Sequence, residues 1–186
     1  MNLAASVEGR EHLRLFCALR LPDKTIERLA VWQRQAFGRV GDVRIVPREN
    51  LHVTLAFLGR QETDRVGAIA GALREAAAAA EVPVLRAGRY RETRSVGMLV
   101  LAEEEPCSER LAVDLFERLE RLGVYERERR RWLPHLTVIR FRRPPRLHPE
   151  IPDLGVFSPS DAAVYMSVLR PGGAQYDVLE SVALGR

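Results

Sequence analysis

The chain has 186 residues, of which 46% are hydrophobic and 29% are charged, and its formal net charge is +4. These values are typical of a globular protein and exclude a disordered or collagen-like chain. The length fits one compact unit with a substantial core. The longest nearly apolar stretch, residues 67–80, is interrupted by Arg74 and Glu75, so no membrane-spanning segment is predicted.

The N-terminal segment and the two cysteines indicate where the protein is located and whether it contains a disulfide or a zinc site. Residues 1–11 contain no apolar run, so we interpret them as a flexible lead-in and expect a cytoplasmic protein without a signal peptide. Cys17 and Cys107 stand far apart, and neither belongs to a Cys-x-x-Cys pair. The sequence therefore predicts two buried, reduced thiols, with neither a zinc site nor a disulfide.

Apolar periodicity predicts ten secondary-structure elements along the chain. In the first half they are a strand over 13–19, a helix from Asp23 to about Phe37, a strand over 51–58, an alanine-rich helix over 62–80 and a strand over 82–90. In the second half they are a strand over 96–102, a helix over 107–122, a strand over 132–141, and strands over 162–169 and 176–184 joined by a turn at 171–173.

The two halves, residues 12–92 and 93–186, share one plan. Each contains an apolar strand, an amphipathic helix, a polar connector and then a strand with a His-x-Thr motif. Any α+β protein alternates such elements, and the repeated motif is what favours an internal duplication. We therefore interpret residues 1–186 as a single domain with two lobes related by a pseudo-twofold axis.

The two His-x-Thr motifs are the strongest chemical signal in the sequence. Side chains alternate along a strand, so His52 and Thr54 leave the same face, and His135 and Thr137 do the same. Two of the four histidines in the chain occupy this motif, and the other two lie in the lead-in region and a predicted loop. Each motif thus offers one imidazole and one hydroxyl to a common surface.

Paired imidazoles and hydroxyls suit the hydrolysis of a cyclic phosphodiester without a metal. One group must take a proton from water while another gives a proton to the leaving oxygen, and a histidine pKa of about 6.5 allows both near neutral pH. Threonine hydroxyls can donate hydrogen bonds to phosphate oxygens. Arg140 lies five residues beyond His135, nominally on the opposite face, and a bulge or its long side chain could return it to the cleft as a phosphate clamp.

Four blocks of the sequence carry a resemblance to a known family. They are RLFCALRLP at 14–22, NLHVTLAFLG at 50–59, PHLTVIRF at 134–141 and YMSVLRPGGAQYDVL at 165–179. In this order they resemble the two-histidine phosphoesterase superfamily, and specifically its RNA 2',3'-cyclic phosphodiesterase branch, historically named 2'-5' RNA ligase. Many members have lysine where Ala56 stands and an acidic residue where Arg60 stands, so contacts to the flanking nucleotide are expected to differ.

The resemblance implies a bilobal α+β fold in which two antiparallel sheets face a central cleft, with the helices outside. It implies hydrolysis of 2',3'-cyclic phosphate ends to 2'-phosphates without a cofactor, with His52 as the acid and His135 as the base. The remaining site residues that it implies are Thr54, Thr137 and Arg140 as phosphate contacts and Phe16 as a base-stacking surface. The expected partners are RNA ends, such as those of tRNA fragments or short oligonucleotides, and nothing in the sequence requires more than a monomer.

Three alternatives remain open at this point. The same site could act mainly as an ATP-independent 2'-5' RNA ligase, because joining is the reverse of cyclic ester opening. The fold could serve a non-catalytic nucleotide-binding module. A metal-dependent hydrolase would need further ligands beside His52 and His135, and the sequence shows no acidic or His-x-His cluster next to either. The arginines within 127–131 and 140–146 either line a groove for the RNA backbone or form a solvated surface.

Overall fold

The computed structural model describes residues 11–171 and 173–185, so residues 1–10 of the expected lead-in lie outside the described residues. Within these ranges the fold is α+β, with three helices and a sheet of nine strands. The helices are α1 (Asp23–Phe37), α2 (Val66–Ala79) and α3 (Cys107–Arg121). The strands are β1 (His12–Arg20), β2 (Val43–Ile45), β3 (His52–Glu62), β4 (Leu85–Glu92), β5 (Val96–Ala102), β6 (His135–Phe141), β7 (Val156–Phe157), β8 (Asp161–Arg170) and β9 (Gly173–Val182).

The predicted elements are all present, and two strands were not predicted. The short strands β2 and β7 pair with β6 and β4, and such brief edge segments carry little periodicity of their own. Among the described residues, no helix is long and apolar enough to cross a membrane. Cys17 and Cys107 are buried and form no disulfide, as expected.

The two strands at the centre of the sheet pair over a very short length. Its strand order is β7-β4-β5-β6-β3-β1-β8-β9, with β2 paired to β6, and every pairing is antiparallel. The two histidine strands, β3 and β6, meet at a single register pair, Val53 with Leu136. The resemblance implies two separate sheets, and the hydrogen bonding instead joins the strands into one, because this central pair connects the group β7-β4-β5-β6 to the group β3-β1-β8-β9.

One face of the sheet packs against the helices and the other carries the motifs. Val53 and Leu136 belong to the same buried core as side chains from all three helices, among them Leu29, Ile69 and Leu115. Side chains alternate along each strand, so the histidine and threonine of each motif point to the opposite face. They are only half-buried there.

Each histidine strand carries a β-bulge at the third residue after its histidine. In β6, the residues on either side of Val138 pair with consecutive residues of β5, so Val138 is the extra residue. In β3, the residues on either side of Leu55 pair with consecutive residues of β1. A bulge shifts the alternation by one position. The fifth residue after each histidine, Phe57 in β3 and Arg140 in β6, therefore returns to the face of the motif.

A buried glutamine of α1 holds the bulge of β6. The side-chain amide of Gln33 donates to the carbonyl oxygen of Val138 at 2.7 Å and to that of Val46 at 3.1 Å. The backbone N–H of Val46 also donates to the carbonyl of Val138, at 3.0 Å. Gln33 is 1% exposed, so these bonds form where water does not compete. The helix is thereby tied to the irregular residue that turns Arg140 toward the motif.

Replacing this glutamine should weaken the fold. Gln33→Leu should lower the free energy of unfolding by about 1–3 kcal/mol, because the buried carbonyl of Val46 loses its side-chain donor. Chemical denaturation at neutral pH measures this change. Gln35→Leu on the exposed face of the same helix is the matched control and should stay within about 0.5 kcal/mol of the wild type. A Gln33→Leu protein as stable as this control would show that the amide does not support the bulge.

Candidate active site

A cavity of about 520 Å³ opens where β3 and β6 meet on the face opposite the helices. Both motifs contribute their histidine and threonine side chains to its lining. The antiparallel pairing of Val53 with Leu136 brings the two motifs side by side. The structure therefore gathers into one cavity the His52, Thr54, His135 and Thr137 side chains that the sequence singled out.

Each imidazole is oriented by a backbone carbonyl two residues earlier in the chain. The Nδ1 atom of His135 lies 2.8 Å from the carbonyl oxygen of Leu133, and the carbonyl of Asn50 hydrogen bonds to the His52 ring. The Nε2 atom of His52 lies 3.1 Å from the Thr54 hydroxyl. Asn50 is itself fixed, since its side-chain amide donates to the Ala174 carbonyl at 2.9 Å. The Leu133 carbonyl thus leaves Nε2 of His135 for chemistry in the cavity, whereas Nε2 of His52 faces the Thr54 hydroxyl.

The two histidines differ in their surroundings, because an aromatic cluster packs around His52 alone. The ring of His52 lies 4.9 Å from that of Phe16, 5.4 Å from that of Tyr176 and 5.8 Å from that of Tyr165, between centroids. Phe16 and Tyr165 are stacked at 4.8 Å. Packing of this kind restricts the rotation of the His52 ring and removes part of it from water.

Burial is the largest cause that lowers the pKa of His52 to about 4. The hydrogen bond to the Asn50 carbonyl opposes this effect, whereas the positive charges of His135 and Arg140 add to it. His52 is therefore neutral at pH 7 in the free protein. A bound phosphate anion would offset the nearby positive charges and favour the protonated form of His52.

The cavity has a strongly cationic lining. Its lining includes four arginines, namely Arg14, Arg44, Arg140 and Arg170. Among the described residues that line it there is no aspartate or glutamate. Low-dielectric walls lined by one sign of charge concentrate the field and attract ions of the opposite sign. The cavity is thus suited to a phosphate or a larger polyanion.

Arg140 lies in the cavity, although strict alternation places it on the other face of β6. The bulge at Val138 restores it to the motif face, and its charge acts on His52. Of the arginines within 127–131 and 140–146, only Arg140 is among the cavity-lining residues. Three of the four arginines in the first segment form ion pairs with glutamates, namely Arg127 with Glu120, Arg130 with Glu128 and Arg131 with Glu109. These pairs favour the solvated-surface interpretation of residues 127–131.

Phe16, which the resemblance implies as a base-stacking surface, lines the cavity with only a small part of its surface. Its side chain is 2% exposed, and the rings of His52, Tyr165 and Tyr176 surround it. Little of its surface is left for a nucleotide base. Its packing against His52 makes Phe16 a positioning residue for that imidazole.

Several lining residues were not found by sequence reasoning. Arg14 stands two positions before Phe16 on β1, so alternation could have placed both on one face. Phe57 and Tyr176 gave no such signal, because their positions depend on the bulge of β3 and on the pairing of β9. Among the described residues, no group of three or more His, Cys, Asp and Glu side chains is arranged to hold a metal ion.

Arginines around two imidazoles favour an anionic ligand, and the matched His-x-Thr strands agree with the resemblance of the sequence to the two-histidine phosphoesterases. Residues 19–100 match the family described as LigT like Phosphoesterase. The crystal structure of TT0787 of Thermus thermophilus is 26% identical, with a TM-score of 0.80, and the match covers 92% of this chain and 98% of that chain. That of E. coli LigT complexed with 3'-AMP is 25% identical, with a TM-score of 0.74, and the match covers 94% and 99%. The chain is thus similar to the LigT-like phosphoesterases, by the family model over residues 19–100 and by structure over more than nine-tenths of its length.

Two curated relatives extend this similarity over most of the chain. The RNA 2',3'-cyclic phosphodiesterase of Methanocaldococcus jannaschii is 24% identical over 176 residues, which are 90% of this chain and 99% of the relative. The protein with the same name from Archaeoglobus fulgidus is 29% identical over 175 residues, which are 88% of this chain and 96% of the relative.

The environment of His52 predicts a loss of stability in acid. Its folded-state pKa of about 4 lies below the ordinary value of about 6.5, so the unfolded chain binds the proton first as the pH falls. The contribution of neutral His52 to the free energy of unfolding should be fully present above about pH 6.5. It should decrease by up to about 3 kcal/mol as the pH falls toward 4. Denaturant unfolding at pH 7 and at pH 5 should show a smaller loss for His52→Gln than for the wild type. The exposed control His148→Gln should keep the wild-type loss, and equal losses in all three proteins would contradict the assignment.

Proposed function

We propose that this protein hydrolyses the 2',3'-cyclic phosphate at RNA ends to a 2'-phosphate, with His52 and His135 transferring the protons and without a metal. The observation that carries this proposal is the meeting of two imidazoles from matched strands in one cavity that is lined by arginines and by no carboxylate among the described residues. The names of the two archaeal relatives support this substrate and reaction. The crystal structures of E. coli LigT with 3'-AMP and with phosphate support a nucleotide-phosphate ligand.

The reaction needs two proton transfers and one displacement at phosphorus. The oxygen of water attacks the phosphorus while one imidazole takes its proton, and the bond from phosphorus to O3' breaks as the other imidazole protonates O3'. Thr54, Thr137 and Arg140 would hold the non-bridging oxygens, where negative charge grows in the transition state. Each half of the chain supplies one motif to the single domain in this proposal, although strands from both halves lie on each side of the central pair.

We assign His52 as the acid toward O3' and His135 as the base toward water, following the family resemblance. Substrate binding acts in the direction of this assignment, because the phosphate anion offsets the positive charges that add to the effect of burial on the pKa of His52. The hydrogen bond to the Asn50 carbonyl also favours the charged ring. A bound phosphate would therefore raise the pKa of His52 above its value in the free protein.

A substrate with a good leaving group tests this assignment. An aryl phosphodiester such as bis(4-nitrophenyl) phosphate needs no proton on its leaving oxygen, so loss of the acid should matter less than loss of the base. His52→Ala should retain a larger fraction of wild-type turnover on this compound than on a cyclic nucleotide, and His135→Ala should lose similar fractions on both. The reverse pattern would exchange the two roles.

Loss of either imidazole should remove most of the activity. His52→Ala and His135→Ala should each lower turnover of a 2',3'-cyclic-ended oligonucleotide by about 10²–10⁴-fold, the usual contribution of a general acid or base. Chromatography of the products should show a 2'-phosphate end. His148→Ala, at an exposed position outside the cavity, is the matched control and should remain active. Near wild-type turnover in either cavity variant, or a 3'-phosphate product, would end the proposal.

The same measurement separates the two remaining interpretations of the cavity. Joining of RNA halves without ATP would reverse the cyclic ester opening at the same imidazoles, so a ligase would yield a 2'-5' joined product. A non-catalytic binding module would leave the cyclic end unchanged. We favour hydrolysis because water is present at far higher concentration than a second RNA end in an open cavity.

A further inference from the structure

The two histidine strands carry different side chains at structurally equivalent positions. Each strand has a bulge three residues after its histidine, and the fifth residue returns to the cavity in both. In β6 this residue is Arg140, and in β3 it is Phe57. The duplication thus places a cation on one side of the cavity and an aromatic ring on the other.

The antiparallel pairing fixes where these two side chains lie relative to the imidazoles. Because β3 and β6 run in opposite directions from the Val53 and Leu136 pair, Arg140 continues past His52. The effect of the Arg140 charge on His52 agrees with this placement. By the same symmetry, Phe57 continues past His135. The ring therefore lies on the far side of the phosphate position from Arg140.

The Phe57 ring is available to a ligand. It is 48% exposed, and it is the only aromatic side chain among the large exposed hydrophobic residues that the structure describes. The guanidinium carbon of Arg14 lies 4.9 Å from the centre of this ring, and both side chains line the cavity. An exposed aromatic ring next to a cation is the combination with which proteins stack the bases and hold the backbone of single-stranded nucleic acids.

We propose that Phe57 and Arg14 form a subsite for the nucleotide that precedes the cyclic end, with its base on Phe57 and the connecting phosphodiester on Arg14. This inference rests on the proposed function. A mononucleotide has a single phosphate, and this phosphate would be bound by the two motifs and Arg140. A second cation beside an aromatic ring matches a second phosphate and a second base, and only an oligonucleotide supplies them. The substrate class is thus an RNA end of at least two nucleotides.

The subsite predicts a preference for a dinucleotide with a 2',3'-cyclic end over the corresponding cyclic mononucleotide. In the wild type, kcat/KM should be about 10-fold or more higher for the dinucleotide, the range that one stacked base contributes. Phe57→Ala should remove most of this ratio, and Phe57→Trp should keep it. Arg14→Ala should also lower the ratio and reduce the dependence of dinucleotide KM on salt. Arg39→Ala removes the same charge from an exposed arginine outside the cavity, and it should change neither the ratio nor the salt dependence.

The outcomes separate this inference from the function on which it rests. Equal kcat/KM for the two substrates in the wild type, or an unchanged ratio in Phe57→Ala, would overturn the subsite while leaving hydrolysis established. If neither substrate is hydrolysed, the proposed function fails, and calorimetric titration with 2'-phosphorylated dinucleotide and mononucleotide still tests the subsite. Tighter binding of the dinucleotide that Phe57→Ala abolishes would support it, and equal affinities would overturn it. Circular dichroism confirms that each variant is folded.

Discussion

The candidate site depends on the short pairing between strands β3 and β6. Val53 and Leu136 are fully buried and form the only register pair between β3 and β6 in the described part of the chain. This pair sets two motifs from distant parts of the sequence side by side, and the Trp132 indole, which donates to the Thr54 carbonyl at 3.1 Å, adds a second link. A slip of one residue in either strand would turn its motif into the helix-covered core.

Two irregularities make this symmetric frame chemically unequal. The bulges at Leu55 and Val138 occur at the same distance from the histidines, and each returns one more side chain to the cavity. Gln33 supports the bulge of β6 from inside the core, so a buried helix residue acts on the placement of Arg140. A bulge keeps the strand intact and shifts its alternation, and the two strands differ in the side chain that is returned, Phe57 in β3 and Arg140 in β6.

The two imidazoles share a motif and a backbone anchor, yet their environments separate them. Phe16, Tyr165 and Tyr176 surround His52, and burial lowers its pKa to about 4. Nearby positive charge adds to this effect, so the protonation of His52 is coupled to the arrival of a phosphate anion. Under the proposed function, acid stability, ligand binding and proton transfer would depend on the same small group of side chains.

The sequence by itself determined the features that follow from local patterns. Strand alternation placed each histidine and threonine on one face, and helical periodicity gave the helix from Asp23 to Phe37. Tertiary structure decided the rest, because it depends on pairing between remote segments. Register and bulges join the strands into one sheet and return Arg140 to the cavity. They also enclose Phe16 and expose Phe57, and no local periodicity encodes them.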